Sequence, residues 1–170
     1  MNQTLPVHLN FAQKAKIGFE IQGKLPIKQL KRLSESLLSD EGDISVELKF
    51  ERVGPVPYIH GHITTELLLK CQRCMHSMPY AVDIRFKLGL VLNEAQMEKL
   101  PDDAEPYLIE TDSNHLPDML EEELLLALPL VAMHEFDCSD YMQQQESDQQ
   151  NEVEKSEEKE NPFSVLKDLL

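Results

Sequence analysis

A chain of 170 residues, 41 % of them apolar, can bury a real core and fits one domain followed by a tail. Its net charge of −15 is unevenly held: residues 1–92 carry 12 Lys and Arg against 9 Asp and Glu, net +3, whereas residues 93–170 carry 4 against 22, net −18. No apolar run approaches a membrane span, and the first sixteen residues lack the charged-then-apolar pattern of a secretion signal. A cytoplasmic protein is therefore expected, in which three cysteines suit reduced thiols or a metal rather than a disulfide scaffold.

Residues 1–16 show no clear period. Phe19, Ile21 and Gly23 alternate with polar neighbours and predict a short strand. Pro26 fits the first turn of a helix, and Leu30, Leu33 and Leu37 follow at helical spacing with Lys28, Lys31, Arg32 and Glu35 between them. This predicts an amphipathic helix over 26–38 with a basic outer face. Ile44, Val46, Leu48 and Phe50 then alternate strictly with Ser45, Glu47 and Lys49, the pattern of a half-buried strand. After the turn ERVGPVP, residues 58–69 read as a second long strand. Residues 81–92 read as a third, with Val82, Ile84, Phe86 and Leu88 on one face. Short connections between long strands predict an antiparallel meander, because parallel pairing needs a crossover.

Residues 93–106 are polar and acidic, with a short helix expected at EAQMEKL and a brief strand at 107–110. Pro117 opens a second amphipathic helix, with Leu116, Leu120 and Leu124 as its buried stripe, Leu125 and Leu128 widening it, and Pro129 ending it. Its Glu121, Glu122 and Glu123 read as a solvated face and suit the positive end of the helix dipole. Residues 139–160 hold 8 acidic and 2 basic residues with almost nothing apolar, so they predict a disordered acidic linker. In 161–170, Asn161 and Pro162 suit a helix start, and Phe163, Leu166, Leu169 and Leu170 suit a short amphipathic helix that either docks on a partner or folds back on its own domain.

The expected fold is thus α+β: an antiparallel sheet meander of about four to six strands, two packed helices, and an acidic tail ending in a short helix. One domain spans 1–138, a disordered linker 139–160 and a C-terminal helix 161–170.

The chemistry centres on KCQRCMHSMPY, residues 70–80, between two strands. A C-x-x-C at such a turn aims two thiolates at one point. Cys71 and Cys74 with His134 and Cys138 of HEFDC would complete a closed zinc site of three sulfurs and one nitrogen, with His76 a spare ligand. A tight turn with reduced thiols is the competing reading. A redox pair fits least, since no helix N-terminus follows to lower a thiol pKa. His60 and His62 flank Gly61 on one strand face, where a solvent-facing pair is the common outcome. Nothing reads as a catalytic triad, a phosphate-binding glycine loop or a carboxylate pair in an apolar pocket, so an enzyme is not expected. Lys14, Lys16, Lys24, Lys28, Lys31, Arg32, Arg73, Arg85 and Lys87 are candidate RNA contacts, while the acidic half repels nucleic acid and attracts basic proteins.

LLLKCQRC before a strand, EPY before the second helix, EEELLLALPLVAMH, the acidic tail and the terminal NPFSVL occur here in one order over nearly the whole chain. Together they resemble the YceD family, the large ribosomal RNA subunit accumulation proteins. The resemblance implies a non-enzymatic cytoplasmic factor in large-subunit biogenesis, needed for 23S ribosomal RNA to accumulate. Many relatives carry four cysteines in two pairs, which implies that one position of the second pair is here either filled by His134 or lost. With the charge split, it suggests ribosomal RNA or a pre-large-subunit particle as a partner, and a basic ribosomal protein as another. The alternative is a zinc-stabilised protein-interaction adaptor without direct RNA contact. No membrane and no small-molecule substrate is expected.

Overall fold

The computed structural model describes residues 4–109 and 111–138 of the chain. Every helix and strand below lies in a first compact unit, residues 1–133; of a second, residues 134–170, only 134–138 are described. The linker expected at 139–160 and the terminal helix at 161–170, with Phe163, Leu166, Leu169 and Leu170, lie outside the described residues.

The fold is α+β. Strands β2 (Glu20–Pro26), β3 (Asp43–Val53), β4 (Val56–Lys70), β5 (Ser77–Val91) and β6 (Glu105–Leu108) form one sheet in that spatial order. A separate two-stranded sheet pairs β1 (His8–Leu9) with β7 (Asn114–His115). Four helices complete the described part: α1 (Phe11–Ile17), α2 (Lys31–Glu35), α3 (Glu94–Met97) and α4 (Leu116–Ala127).

The expected meander is present as β2 to β5, all antiparallel, with Ile44, Val46, Leu48 and Phe50 of β3 fully buried on one face. The sheet is nevertheless mixed, which corrects the antiparallel expectation. Residues 92–104 cross back over the end of the sheet, where Leu100 closes on Gly89 so tightly that a Cβ there would clash. The chain therefore re-enters beside Leu88 and β6 runs parallel to β5.

The helix expected over 26–38 is also corrected. Pro26 is the last residue of β2, Ile27–Gln29 make one 3₁₀ turn, and Leu30, at φ −98° and ψ 86°, breaks the path before α2. Leu30 and Leu33 are still buried as their spacing implied. Helix α1 carried no sequence period, but its ends are well marked. The Asn10 side chain accepts from the Gln13 N–H, and Gly18 closes the other end in the left-handed region at φ 66°.

Helix α1 lies on the core face of β3 and β4, and α2 packs against α4. Phe11 meets Phe50 and Tyr107 at ring distances of 5.7 and 5.9 Å, and Leu116, Leu120 and Leu124 are fully buried as predicted. Glu121 corrects the reading of the three glutamates as a solvated face. It is buried, and its Oε1 accepts the Leu33 N–H at 3.1 Å in the first turn of α2. Among the described residues no helix is long and apolar enough to cross a membrane.

Candidate metal centre and basic surfaces

Strands β4 and β5 are paired down to Lys70 and Ser77, so residues 71–76 must reverse the chain. The Cys71 N–H donates to the His76 carbonyl at 2.9 Å, and the Met75 N–H donates back to the Cys71 carbonyl at 2.9 Å. Met75 takes the left-handed conformation at φ 63°, the one described non-glycine residue that does. This folding brings both cysteines to the inside of one tight loop, Cys71 fully buried and Cys74 half-buried.

The chain leaving α4 passes beside the same loop. The Gln72 N–H donates to the Ala132 carbonyl at 2.8 Å, and an Arg73 Nη lies 3.8 Å from the Met133 sulfur. One ligand atom each from Cys71, Cys74, His134 and Cys138 lies within 4.8 Å of all the others. These are the four residues predicted from the sequence, and His76 is not among them. Sulfur and imidazole donors at such spacing suit a tetrahedral, borderline-soft cation, whose metal–sulfur and metal–nitrogen bonds run about 2.0–2.3 Å. Among the described residues this is the one group of His, Cys, Asp and Glu side chains close enough to hold an ion.

The basic residues are divided rather than gathered. Lys24, Arg85 and Lys87 share the outer face of the sheet with His60 and His62, an open groove of about 660 Å³ lying over its middle. Each histidine there meets a carboxylate, His60 at 3.0 Å from Glu51 and His62 at 2.8 Å from Asp83, so the pair is surface-facing as expected. Lys87 reaches Asp103 at 2.7 Å, and that hydrogen bond holds the lysine above and the aspartate below their ordinary pKa values. Lys14 and Lys16 stand on α1, in the layer behind the sheet, with Lys14 over the Phe19 ring at 4.0 Å. Lys28, Lys31 and Arg32 occupy the 3₁₀ turn and α2, where Arg32 lies 3.7 Å from Glu122. Arg73 belongs to the cysteine loop.

Sequence reasoning missed two positions that organise this region. Glu121 could have been found on a helical wheel, since it falls beside the Leu116, Leu120 and Leu124 stripe. Gly61 could not, because its need for glycine comes from Phe86, 25 residues away, whose ring fills the place of a Cβ.

The sequence profile described as large ribosomal RNA subunit accumulation protein YceD matches residues 59–170. That stretch begins in the middle strand of the sheet and takes in all four candidate ligands. A Haemophilus influenzae protein of the same description is 32 % identical over 170 residues, covering 97 % of this chain and 95 % of the relative. No solved structure matches. The chain belongs to the YceD family.

Proposed function

We propose that this chain is a cytoplasmic, non-enzymatic factor that supports the accumulation of 23S ribosomal RNA during assembly of the large ribosomal subunit. Membership of the family carries the reading, since the match covers both the folded unit and the acidic remainder of the chain. The cysteine–histidine group acts architecturally. Cys71, Cys74, His134 and Cys138 would hold one zinc ion with all four positions filled by protein, which leaves none for water or substrate. When bound, zinc supplies a cross-link that fixes the β4–β5 turn to the segment after α4. The cations of residues 1–92 contact ribosomal RNA, and the acidic remainder attracts a basic ribosomal protein, with Phe163, Leu166, Leu169 and Leu170 of the tail docking on that partner.

The test is a strain lacking the chain, complemented by the wild type or by a Cys71→Ser/Cys74→Ser variant. The 23S to 16S ratio should fall without the chain, recover with the wild type and recover only in part with the variant. Native mass spectrometry should find one zinc per wild-type chain. An unchanged ratio in the depleted strain removes the function, and a metal-free mass removes the zinc.

A second reading, a zinc-stabilised adaptor without direct RNA contact, draws support from Lys14, Arg32 and Lys87. Each is already engaged within the chain, by Phe19, Glu122 and Asp103. Filter binding to 23S fragments separates the two. Direct contact predicts affinity that falls steeply with salt, whereas the adaptor predicts none even at low salt.

A further inference from the structure

The four candidate ligands differ in what holds them in place. Cys71 and Cys74 ride one loop whose closing bonds need no metal: the Cys71 N–H donates to the His76 carbonyl and the Met75 N–H to the Cys71 carbonyl. His134 and Cys138 stand beyond the Gln72 to Ala132 backbone bond, Cys138 by six residues. Exposure is unequal as well. All three cysteines are reduced; Cys71 is fully buried, whereas Cys74 and Cys138 are half-buried. An oxidant in solution therefore reaches Cys74 and Cys138 but not Cys71. An accessible thiolate with a shielded one beside it is the arrangement of a redox sensor and its resolving cysteine.

We infer that the cysteine–histidine group is a redox-released clasp: hydrogen peroxide joins Cys71 to Cys74, the metal leaves, and the chain from 134 onward loses its anchor on the β4–β5 turn. The inference rests on the metal binding proposed above and adds its regulation. The Cys74 thiolate attacks peroxide, giving a sulfenic acid and hydroxide. The Cys71 thiolate then displaces hydroxide from that sulfur and the S–S bond forms. Two thiolates lose two electrons and peroxide becomes two hydroxides, so the step is balanced. Geometry chooses the pair. The ligand atoms lie within 4.8 Å of one another, so any two sulfurs are in reach. Residues three apart in a tight turn have Cα atoms less than about 7 Å apart, which matches the spacing of about 4.4–6.8 Å that a disulfide needs. Closing Cys71 on Cys74 costs little chain entropy, whereas Cys138 loses its hold on the loop with its metal bond. With two sulfurs consumed, His134 and Cys138 are too few for a tetrahedral site. Neither Cys71 nor Cys74 opens a helix, so the pair lacks the activation of a dithiol catalyst and reacts once per chain.

The test titrates the purified full chain with hydrogen peroxide and reads native mass, peptide mapping of the cysteines and hydrogen exchange. The untreated chain should carry one zinc ion. Peroxide should remove it and leave a polypeptide about 2 Da lighter, with Cys71 joined to Cys74 and Cys138 still a thiol. Amide exchange over 134–138 should quicken at least about tenfold. Dithiothreitol with added zinc should restore the starting mass and exchange, and Cys138→Ser should form the same disulfide. A disulfide through Cys138, or sulfinic acids in place of a disulfide, overturns the inference, as do retention of the metal in peroxide and unchanged exchange over 134–138. A chain that holds zinc but ignores peroxide loses only the release. A chain isolated without metal loses the metal centre and the clasp together, while its role in 23S accumulation is judged separately by the complementation ratio.

Discussion

Glu121 shows how one buried carboxylate can organise two helices. Its Oε1 meets the Leu33 N–H in the first turn of α2, one of the donors that a helix start leaves without an intrahelical partner. A charge-assisted bond of this kind contributes about 1.5–3 kcal/mol. Glu121→Ala should lower stability by that amount and Glu121→Gln by roughly half, read from urea midpoints. A cost below about 0.5 kcal/mol for the alanine would show that water replaces the carboxylate. Gly61 is the second position set by a distant neighbour. Any side chain there enters the Phe86 ring, so Gly61→Ala should cost about 1–3 kcal/mol. Adding Phe86→Leu should make the double variant less damaged than the two single costs added together. Simple additivity would mean that the ring moves aside freely. A helical wheel turns Glu121 inward but does not name its partner 88 residues away, and Gly61 does not stand out at all, because the ring that defines it is 25 residues away.

At the scale of elements, the strands and the short helix α3, expected at EAQMEKL, were legible, whereas α1 and the bounds of α2 were not. Strict alternation in β3 and β5 reflects burial of one sheet face, which period two reports directly. Helix α1 spans seven residues and α2 five, too short for a period to accumulate, and their ends are fixed instead by Asn10, Gly18 and the bend at Leu30. The parallel direction of β6 is seen only in its pairing with residues 88–91 of β5, which no local pattern announces. The cysteine loop was legible as a turn from Cys71 and Cys74, and His134 and Cys138 were legible as partners by their residue types. The strain at Met75 was not. Left-handed backbone costs a non-glycine residue about 1–2 kcal/mol, set against the added chain entropy of glycine. Met75→Gly should therefore leave the thermal midpoint unchanged or raise it, whereas Met75→Ile should lower it by several degrees. A glycine variant clearly less stable than the parent would show that the Met75 side chain supports the loop.

At the scale of the whole molecule, the charge split has a measurable consequence in α4. Burial, then Glu105 and then Glu122, push the Glu123 carboxyl up to about 7 from an ordinary 4.5. Between those values the folded chain keeps a proton that the unfolded chain has lost. The stabilisation is therefore complete below 4.5 and is lost as pH rises through 7. Glu123→Gln should raise the urea midpoint at pH 8, leave it nearly unchanged at pH 4 and flatten the slope between. An equal shift at both pH values would point to packing rather than charge.

The small sheet of β1 and β7 also fixes the order in which the molecule can be completed. His8 pairs with His115, the Leu116 N–H donates to the Val7 carbonyl, and the Phe11 N–H reaches Asn114. Residues 7–11 have their partner more than a hundred residues later in the chain. At about 5–20 residues per second, they wait some 5–20 s for that partner to be synthesised. The β2–β5 meander, made of near neighbours in sequence, can pair during that interval, and docking of residues 7–11 is the step that closes the unit.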